Sequence, residues 1–377
     1  MVATEIIFLM ERGLNLFEIN IVSLVTVIIV FTFEIPTGII ADTYGRKVSF
    51  VCSCFIIALG MFVYSIGDSL SLFVLASFIF AIGNTLESGA FKAWLVDSID
   101  YHSYSDYFID KEHIYVKETQ AKYLASIIGA FCGVFLAEIN ISLPWIAAGI
   151  LMTFVGVISI IYMKEEYLVD NNSSTKNIQV MKSTIKNSIK CIKSSETLKF
   201  IFAMGLLHSF GTKGLYMQWQ PYFADLFQSE IILGFIWAGI SIAIISGTTL
   251  SKNLSFNMKK KERIMTSQIA VGFGIFLCGV TTSIPIVIIS FLFIFFMMGI
   301  SIPIKEEYLN ETITNTERAT LISCMSIIYS IGSVIGLLFS GYIAEYYSIS
   351  MTWMISGLAL IFLTLLILKN HSKEKSD

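Results

Sequence analysis

The sequence predicts an all-α polytopic membrane protein, and three observations carry that prediction. The 377-residue chain is 55% hydrophobic and only 14% charged, with a mean hydropathy of +0.75. Soluble chains carry about 25% charged residues, so a soluble fold of this size has no way to hide so much apolar surface. The apolar residues also form continuous blocks long enough to cross a bilayer as helix, which takes about 20 residues. Only helices and closed barrels satisfy backbone polar groups in lipid, and continuous rather than alternating blocks select helices. Finally, lysine and arginine concentrate in alternate loops.

In chain order, Val2 to Met10 is about half a span at a rise of about 1.5 Å per residue. The first helix therefore reads as short of a full span by roughly 15 to 20 residues at its start. Span two is expected from Ile21 to Ala41, span three from Val48 to Ile66 and span four from Leu72 to Leu95. A polar segment, Asp97 to Lys122, leads into span five, which ends near Glu138, and Pro144 opens span six. Residues 164–199 are rich in Lys, Asn and Ser and divide the chain. Six further spans are expected near 200–224, 231–250, 264–282, 284–304, 320–344 and 350–368. The predicted organisation is an N-terminal bundle (1–163), a linker (164–199), a C-terminal bundle (200–369) and a polar tail (370–377).

If these spans alternate, Arg46, Lys47, Lys111, Lys117, the linker lysines, Lys252, Lys259, Lys260, Lys261, Arg263, Lys305, Arg318 and the lysines of the tail share one side. The other side carries almost only Arg12. That asymmetry predicts a multi-pass protein of the plasma or inner membrane with linker and tail in the cytoplasm. Within the linker, Ile178, Met181, Ile185, Ile189 and Ile192 recur at helical spacing, with Lys182, Lys186, Lys190 and Lys193 elsewhere on the wheel. This pattern predicts a basic amphipathic helix on the anionic inner leaflet, with a solvated linker as the alternative.

Residues 38–47 read Gly-Ile-Ile-Ala-Asp-Thr-Tyr-Gly-Arg-Lys, directly after an apolar run. This stretch resembles the loop between the second and third membrane helices of the major facilitator superfamily of transporters. The resemblance implies two pseudo-symmetric six-helix bundles, here with an incomplete first helix and about 11–12 spans. It implies alternating access and no covalent chemistry. Gly38 would admit a neighbouring helix, Asp42 would face the positive end of another helix, and Gly45 would allow the tight turn. Arg46 and Lys47 would meet phosphate headgroups or acidic partners. In the resembled family this loop latches the cytoplasmic mouth, its Arg pairing with an acid at the end of span four, where Asp97 stands here. Arg318, just before span eleven, would complete the cluster. The segments Ser88-Gly89-Ala90 and Ala93-Trp94-Leu95-Val96-Asp97 resemble bacterial efflux permeases. Span five has no proline and span four no arginine, two departures from many proton-coupled members.

The halves echo one another. Span five holds Gly129 and Gly133, and span eleven holds Gly332 and Gly336, each a G-x-x-x-G that lets helices approach closely in lipid. Charges inside spans are expensive and usually functional. Glu34 stands before Pro36, reading either as a proton carrier or as a helix brace. Glu87 lies deep in span four, a proton-coupling candidate or a structural partner of Lys92. His208 is a further proton candidate with packing as its alternative. Lys213, Gln218, Trp219 and Gln220, all of span seven, are candidate lining for a solute cavity.

The six cysteines lie mostly in apolar blocks, without zinc-like pairing, and read as buried hydrophobes. No nucleophile elbow, phosphate loop or metal cluster is present, so an enzyme, a cofactor, a bound metal and a nucleic-acid partner are not expected. The expected function is secondary transport of a small organic solute by a monomer, as proton-coupled export of a hydrophobic or amphipathic compound. An importer of the same fold, or a non-transporting remnant or accessory membrane protein, are the alternatives.

Overall fold

A computed structural model describes residues 4–88, 90–91, 94–95, 98, 111–164, 195–253, 258–312 and 318–373. The helices are α1 (Glu5–Glu11), α2 (Leu16–Tyr44), α3 (Arg46–Ile66), α4 (Leu70–Glu87), α5 (Lys111–Ile139), α6 (Leu143–Tyr162), α7 (Glu196–Phe227), α8 (Ile231–Asn253), α9 (Lys260–Val280), α10 (Ile284–Thr312), α11 (Arg318–Tyr346) and α12 (Ile349–Lys373). Among the described residues, nine helices are long and apolar enough to cross a membrane. Two of the remaining three are informative. The seven residues of α1 extend only about 10 Å. The 32 residues of α7 are long enough, but His208, Lys213, Gln218 and Gln220 make it more polar. The amphipathic helix expected over residues 178–193 lies outside the described residues.

The elements end where their sequence demands. Gly13 and Gly45 adopt φ of +89° and +100°, a region that strains any residue with a side chain. Pro144 sits in the first turn of α6, where its missing N–H is not needed. Several boundaries depart from the hydropathy reading, among them the start of α5 at Lys111, inside the expected polar segment, and two others. The fourth span stops as continuous helix at Glu87, because Ser88 leaves the helical region (φ −53°, ψ 107°). The tenth continues to Thr312, so Lys305 belongs to the helix and not to the loop after it.

The chain divides into two compact units. One comprises Met1–Leu14, Ile21–Lys176 and Phe227–Gly234; the other comprises Asn15–Asn20, Asn177–Leu226 and Phe235–Asp377. In the first, α3 packs between α4 and α6. Phe8 of α1 is fully buried against Phe73 (ring centroids 5.8 Å) and Trp145 (5.5 Å), and Trp145 stacks on Tyr64 at 4.4 Å. Arg12 closes this cluster. Its Nη1 donates to the Gly67 carbonyl (3.1 Å) and its Nη2 to Ser142 Oγ (2.5 Å), tying the end of α1 to the end of α3 and the start of α6.

In the second unit, α9 packs against α10 and α12. Small residues set these approaches. A Cβ on Gly357 would lie 2.6 Å from the Gly272 carbonyl, and one on Gly299 would lie 2.4 Å from the Ile244 carbonyl. Likewise α11 meets α7 through Gly332 and Gly336, where a Cβ would lie 2.5 Å from the Leu206 carbonyl and 2.7 Å from the Phe210 carbonyl. The matching Gly129 of α5 behaves differently: no atom stands within 4 Å of its would-be Cβ. The echo therefore marks a tight seam at Gly332 but not at Gly129.

Candidate functional site

The turn between α2 and α3 is built around Gly45, which precedes the first residue of α3 with φ +100°. Arg46, half-buried, and Lys47 follow at once, so both side chains leave the first turn of α3. Lys47 Nζ donates to the Ile160 carbonyl at 2.9 Å, meeting one of the four carbonyls that the last turn of α6 leaves unpaired. Lys47 thus caps α6 from within the protein. Gly38 is exposed and has no atom within 4 Å of its would-be Cβ, so the close helix approach expected there is not made among the described residues. Asp42 lies in the last turn of α2 and Arg318 opens α11. Asp97, and the side chains of Asp42 and Arg318, lie outside the described residues.

Both acidic candidates of the N-terminal unit are exposed: Glu34 two residues before Pro36 in α2, and Glu87 as the last residue of α4. The helix end at Glu87 is fastened from two sides. Ser49 Oγ donates to the Leu86 carbonyl at 2.8 Å, and Thr37 Oγ1 donates to the Thr85 carbonyl at 3.1 Å; both bonds are buried. Carbonyls freed by a helix break inside a membrane must find such donors.

The remaining candidates share α7. Gln218, Trp219 and Gln220 are 0%, 2% and 3% exposed. Gln218 Nε2 donates to the Ser340 carbonyl of α11 at 3.0 Å. Trp219 stacks on Trp237 of α8 at 6.0 Å and touches Phe291 of α10. In the C-terminal unit, Gln218 and Trp219 thus pack α7 against its neighbours. His208 and Lys213 are half-buried. The His208 Nδ1 is buried and has no hydrogen-bond partner among the described residues. Lys213 packs its Cβ over Gly336 of α11.

The structure adds two residues that the sequence reading did not place here. Lys305 of α10 follows Ile304, which packs in one cluster with Met204 and Leu207, in the turn of α7 that leads to His208. Tyr329 of α11 lies against Gly205, one turn of α7 before His208; a Cβ there would be 3.3 Å from its hydroxyl. The Lys-Glu-Glu run at 305–307 mimics a loop, which hides Lys305. The only sequence cue to it was Pro303, which breaks hydropathy without breaking the helix. Among the described residues no group of His, Cys, Asp and Glu could hold a metal ion.

Comparison with known proteins gives a consistent picture. The family model of the Major Facilitator Superfamily matches residues 260–377. The chain is 24% identical over 357 residues to the uncharacterized MFS-type transporter YxaM of Bacillus subtilis, covering 94% of this chain and 88% of that protein. It is 22% identical over 331 residues to the uncharacterized MFS-type transporter MJ1560 of Methanocaldococcus jannaschii, covering 86% and 81%. Among solved structures, its fold is similar to that of the nucleoside transporter NupG (TM-score 0.75, 14% identity, 98% of this chain and 94% of that one). It is similar too to a POT family transporter in complex with 5-aminolevulinic acid (TM-score 0.72, 14% identity, 99% and 92%).

Proposed function

We propose, from the premise that this chain belongs to the major facilitator superfamily, that it exports a hydrophobic or amphipathic organic compound in exchange for protons. The coarser statement, an MFS-type secondary transporter, follows from the family itself. The observation that carries the finer one is the placement of titratable side chains within apolar helices: Glu34 and Glu87 in the N-terminal unit, His208 and Lys213 in the C-terminal one. Such groups are too expensive in a membrane to be kept without a task. A carboxyl moved between wet and dry surroundings takes up and releases a proton. The motif around Asp42 supports a cytoplasmic gate, with Asp97 and Arg318 as its partners. On this reading the protein works as a monomer in the plasma or inner membrane, with its linker in the cytoplasm, and is not an enzyme.

The test is accumulation of a panel of amphipathic compounds in cells making the chain, with and without a protonophore. Lower accumulation that the protonophore abolishes is expected. Asp42→Asn is expected to slow turnover of any solute, and Glu87→Gln to abolish only proton-linked movement. Unchanged transport after collapse of the proton gradient sinks the coupling. Equal activity of all three forms sinks both role assignments. Uptake of a small polar metabolite is a second reading, favoured by the nucleoside transporter and the 5-aminolevulinic acid complex among the structures of similar fold. The direction of flux in oriented vesicles separates the two.

A further inference from the structure

We propose that the C-terminal unit receives the anionic group of an amphipathic organic anion between α7, α10 and α11, with Lys305 and His208 as its direct partners. This deepens the transport reading above and rests on it for the word substrate; the binding claim itself does not need transport.

Charge balance is the first support. The segments 200–224, 231–250, 264–282, 284–304, 320–344 and 350–368 contain no aspartate or glutamate, yet they hold His208 and Lys213, and Lys305 follows directly within α10. Among the described residues neither lysine has an ion pair. The nearest described carboxylate along α10, Glu307, is already engaged by Lys260 at 2.7 Å. An ammonium held in apolar surroundings without a counter-ion is costly. A ligand that supplies the missing negative charge is therefore favoured over one that is neutral or cationic.

Hydrogen-bonding capacity points the same way. Ile304, next to Lys305 on α10, packs in one cluster with Met204 and Leu207, next to His208 on α7, and the His208 Nδ1 is buried with no partner among the described residues. A buried polar nitrogen is almost always satisfied, so one that is not marks a place for something else to bind. The Tyr329 hydroxyl, on α11 beside Gly205, adds a further donor one helical turn away. An ammonium, an imidazole and a phenol together suit the oxygens of a carboxylate or phosphate.

The apolar neighbours set the rest of the ligand. Around this polar group the unit is apolar: Met204 and Leu207 of α7, Ile300 and Ile304 of α10 and Ile328 of α11 form one hydrophobic cluster. A solute with an apolar body and one anionic end satisfies both surfaces. A lipophilic cation satisfies only one of them and is repelled by the other.

The test uses the full chain purified in an uncharged detergent and titrated calorimetrically with four probes of one shape: naphthalene-2-carboxylate, 2-naphthyl phosphate, naphthalene-2-carboxamide and a naphthyl trimethylammonium salt. At least one anion is expected to bind about tenfold more tightly than the amide, the scale of a charge-assisted contact. Lys305→Gln and His208→Gln are each expected to erase that preference, and Lys305→Arg to keep most of it. Tyr329→Phe is expected to weaken the anion severalfold and leave the amide unchanged, which guards against a misfolded lysine variant. The proposal is overturned if neither anion is preferred over the amide, or if Lys305→Gln leaves the preference intact, as a lysine reaching only to solvent would. It is also overturned if phosphatidylglycerol doped into the micelles binds at Lys305 while no soluble anion does, because the pair is then a lipid-headgroup clamp. Counterflow in proteoliposomes is scored separately. Selective binding without movement would leave the site standing and remove the transport reading; movement without anion selectivity would do the reverse.

Discussion

Gly332→Ala isolates what one methyl group does to the α7–α11 seam. Its Cβ would sit 2.5 Å from the Leu206 carbonyl oxygen and 3.1 Å from Ser209 Cβ. The obstacle is backbone, so no rotamer change relieves it. A carbon–oxygen contact relaxes only beyond roughly 3.2 Å, and α11 must retreat by about 0.7 Å. A gap of that size forfeits roughly a third of each dispersion well, and over on the order of 30 atom pairs of ~0.15 kcal/mol this removes about 1–2 kcal/mol. Lipid supplies no hydrophobic force to compensate, since dispersion and close packing are what hold helices together there. The result falls within the usual range for overpacking, about 1–3 kcal/mol.

Gly129→Ala is the matched control. It occupies the same motif in α5, but no atom stands within 4 Å of the new Cβ. Alanine is also the better helix former by about 0.5–1 kcal/mol. Thermal denaturation of the purified protein in detergent should show Gly332→Ala melting several degrees lower, at roughly 2–4 °C per kcal/mol. Gly129→Ala should melt at or above the parent temperature. Equal melting of Gly332→Ala and the parent, or an equal loss in both variants, would refute the packing argument.

Three further outcomes are expected. Arg12→Ala removes charge-assisted bonds to Gly67 and Ser142 and a cation set 5.3 Å over the Phe8 ring. Allowing for partial exposure, it should lower stability by ~2 kcal/mol, read as a lower melting temperature, with Arg12→Lys recovering under half. Ser49→Ala leaves the buried Leu86 carbonyl without its donor and should cost ~1–2 kcal/mol, while Ser49→Thr restores most of the melting temperature. Glu230, in the turn between α7 and α8, is held above the ordinary carboxylate value of 4.5, first by burial and then by the charges of Glu11 and Glu138. Its protonated form thus favours the folded state. The stability it confers is complete below pH 4.5 and is lost as pH rises through the folded value. Glu230→Gln should therefore raise the melting temperature near neutral pH, and the gain should vanish in acid. A gain that persists below pH ~4 would refute the assignment.

The helical membrane architecture was legible because it depends on long-range averages. Apolar blocks, polar interruptions and lysines clustered in alternate connections are each visible without knowing a single contact. Gly45 was legible for a local reason: a glycine between an apolar run and Arg-Lys marks a turn that only glycine makes easily. Pairing between distant segments was not legible. Trp219 is a core residue because Trp237 and Phe291 come from other helices, and nothing in Gln-Trp-Gln distinguishes that from a cavity wall. Lys47 caps α6 because Ile160 ends a helix 113 residues later. Glu87 ends α4 although the following Ser-Gly-Ala-Phe is apolar enough to prolong the hydropathy signal. The break is visible only through Ser88 and the two hydroxyls that fasten it.

The two units carry opposite chemistry inside their helices, and this contrast has mechanistic content. Apart from Lys92, the expected spans of the N-terminal half hold only carboxylates, Glu5, Glu34 and Glu87, as charged groups in their interiors, whereas those of the C-terminal half hold only His208 and Lys213. A carboxylate at a fastened, exposed helix end attracts cations, whereas a lysine beside an imidazole in an apolar cluster attracts anions. If one site served both tasks, every substrate would change the energetics of its own coupling ion. On the proposed reading, separating them would let proton binding at Glu87 and anion binding at Lys305 be tuned independently, tied only through the conformations that each favours. A ligand shifts such an equilibrium by no more than its differential affinity for the two states. On the proposed reading the coupling strength would be set by how much the surroundings of Glu87 and of Lys305 differ between inward-facing and outward-facing forms, and not by the affinity of either site alone.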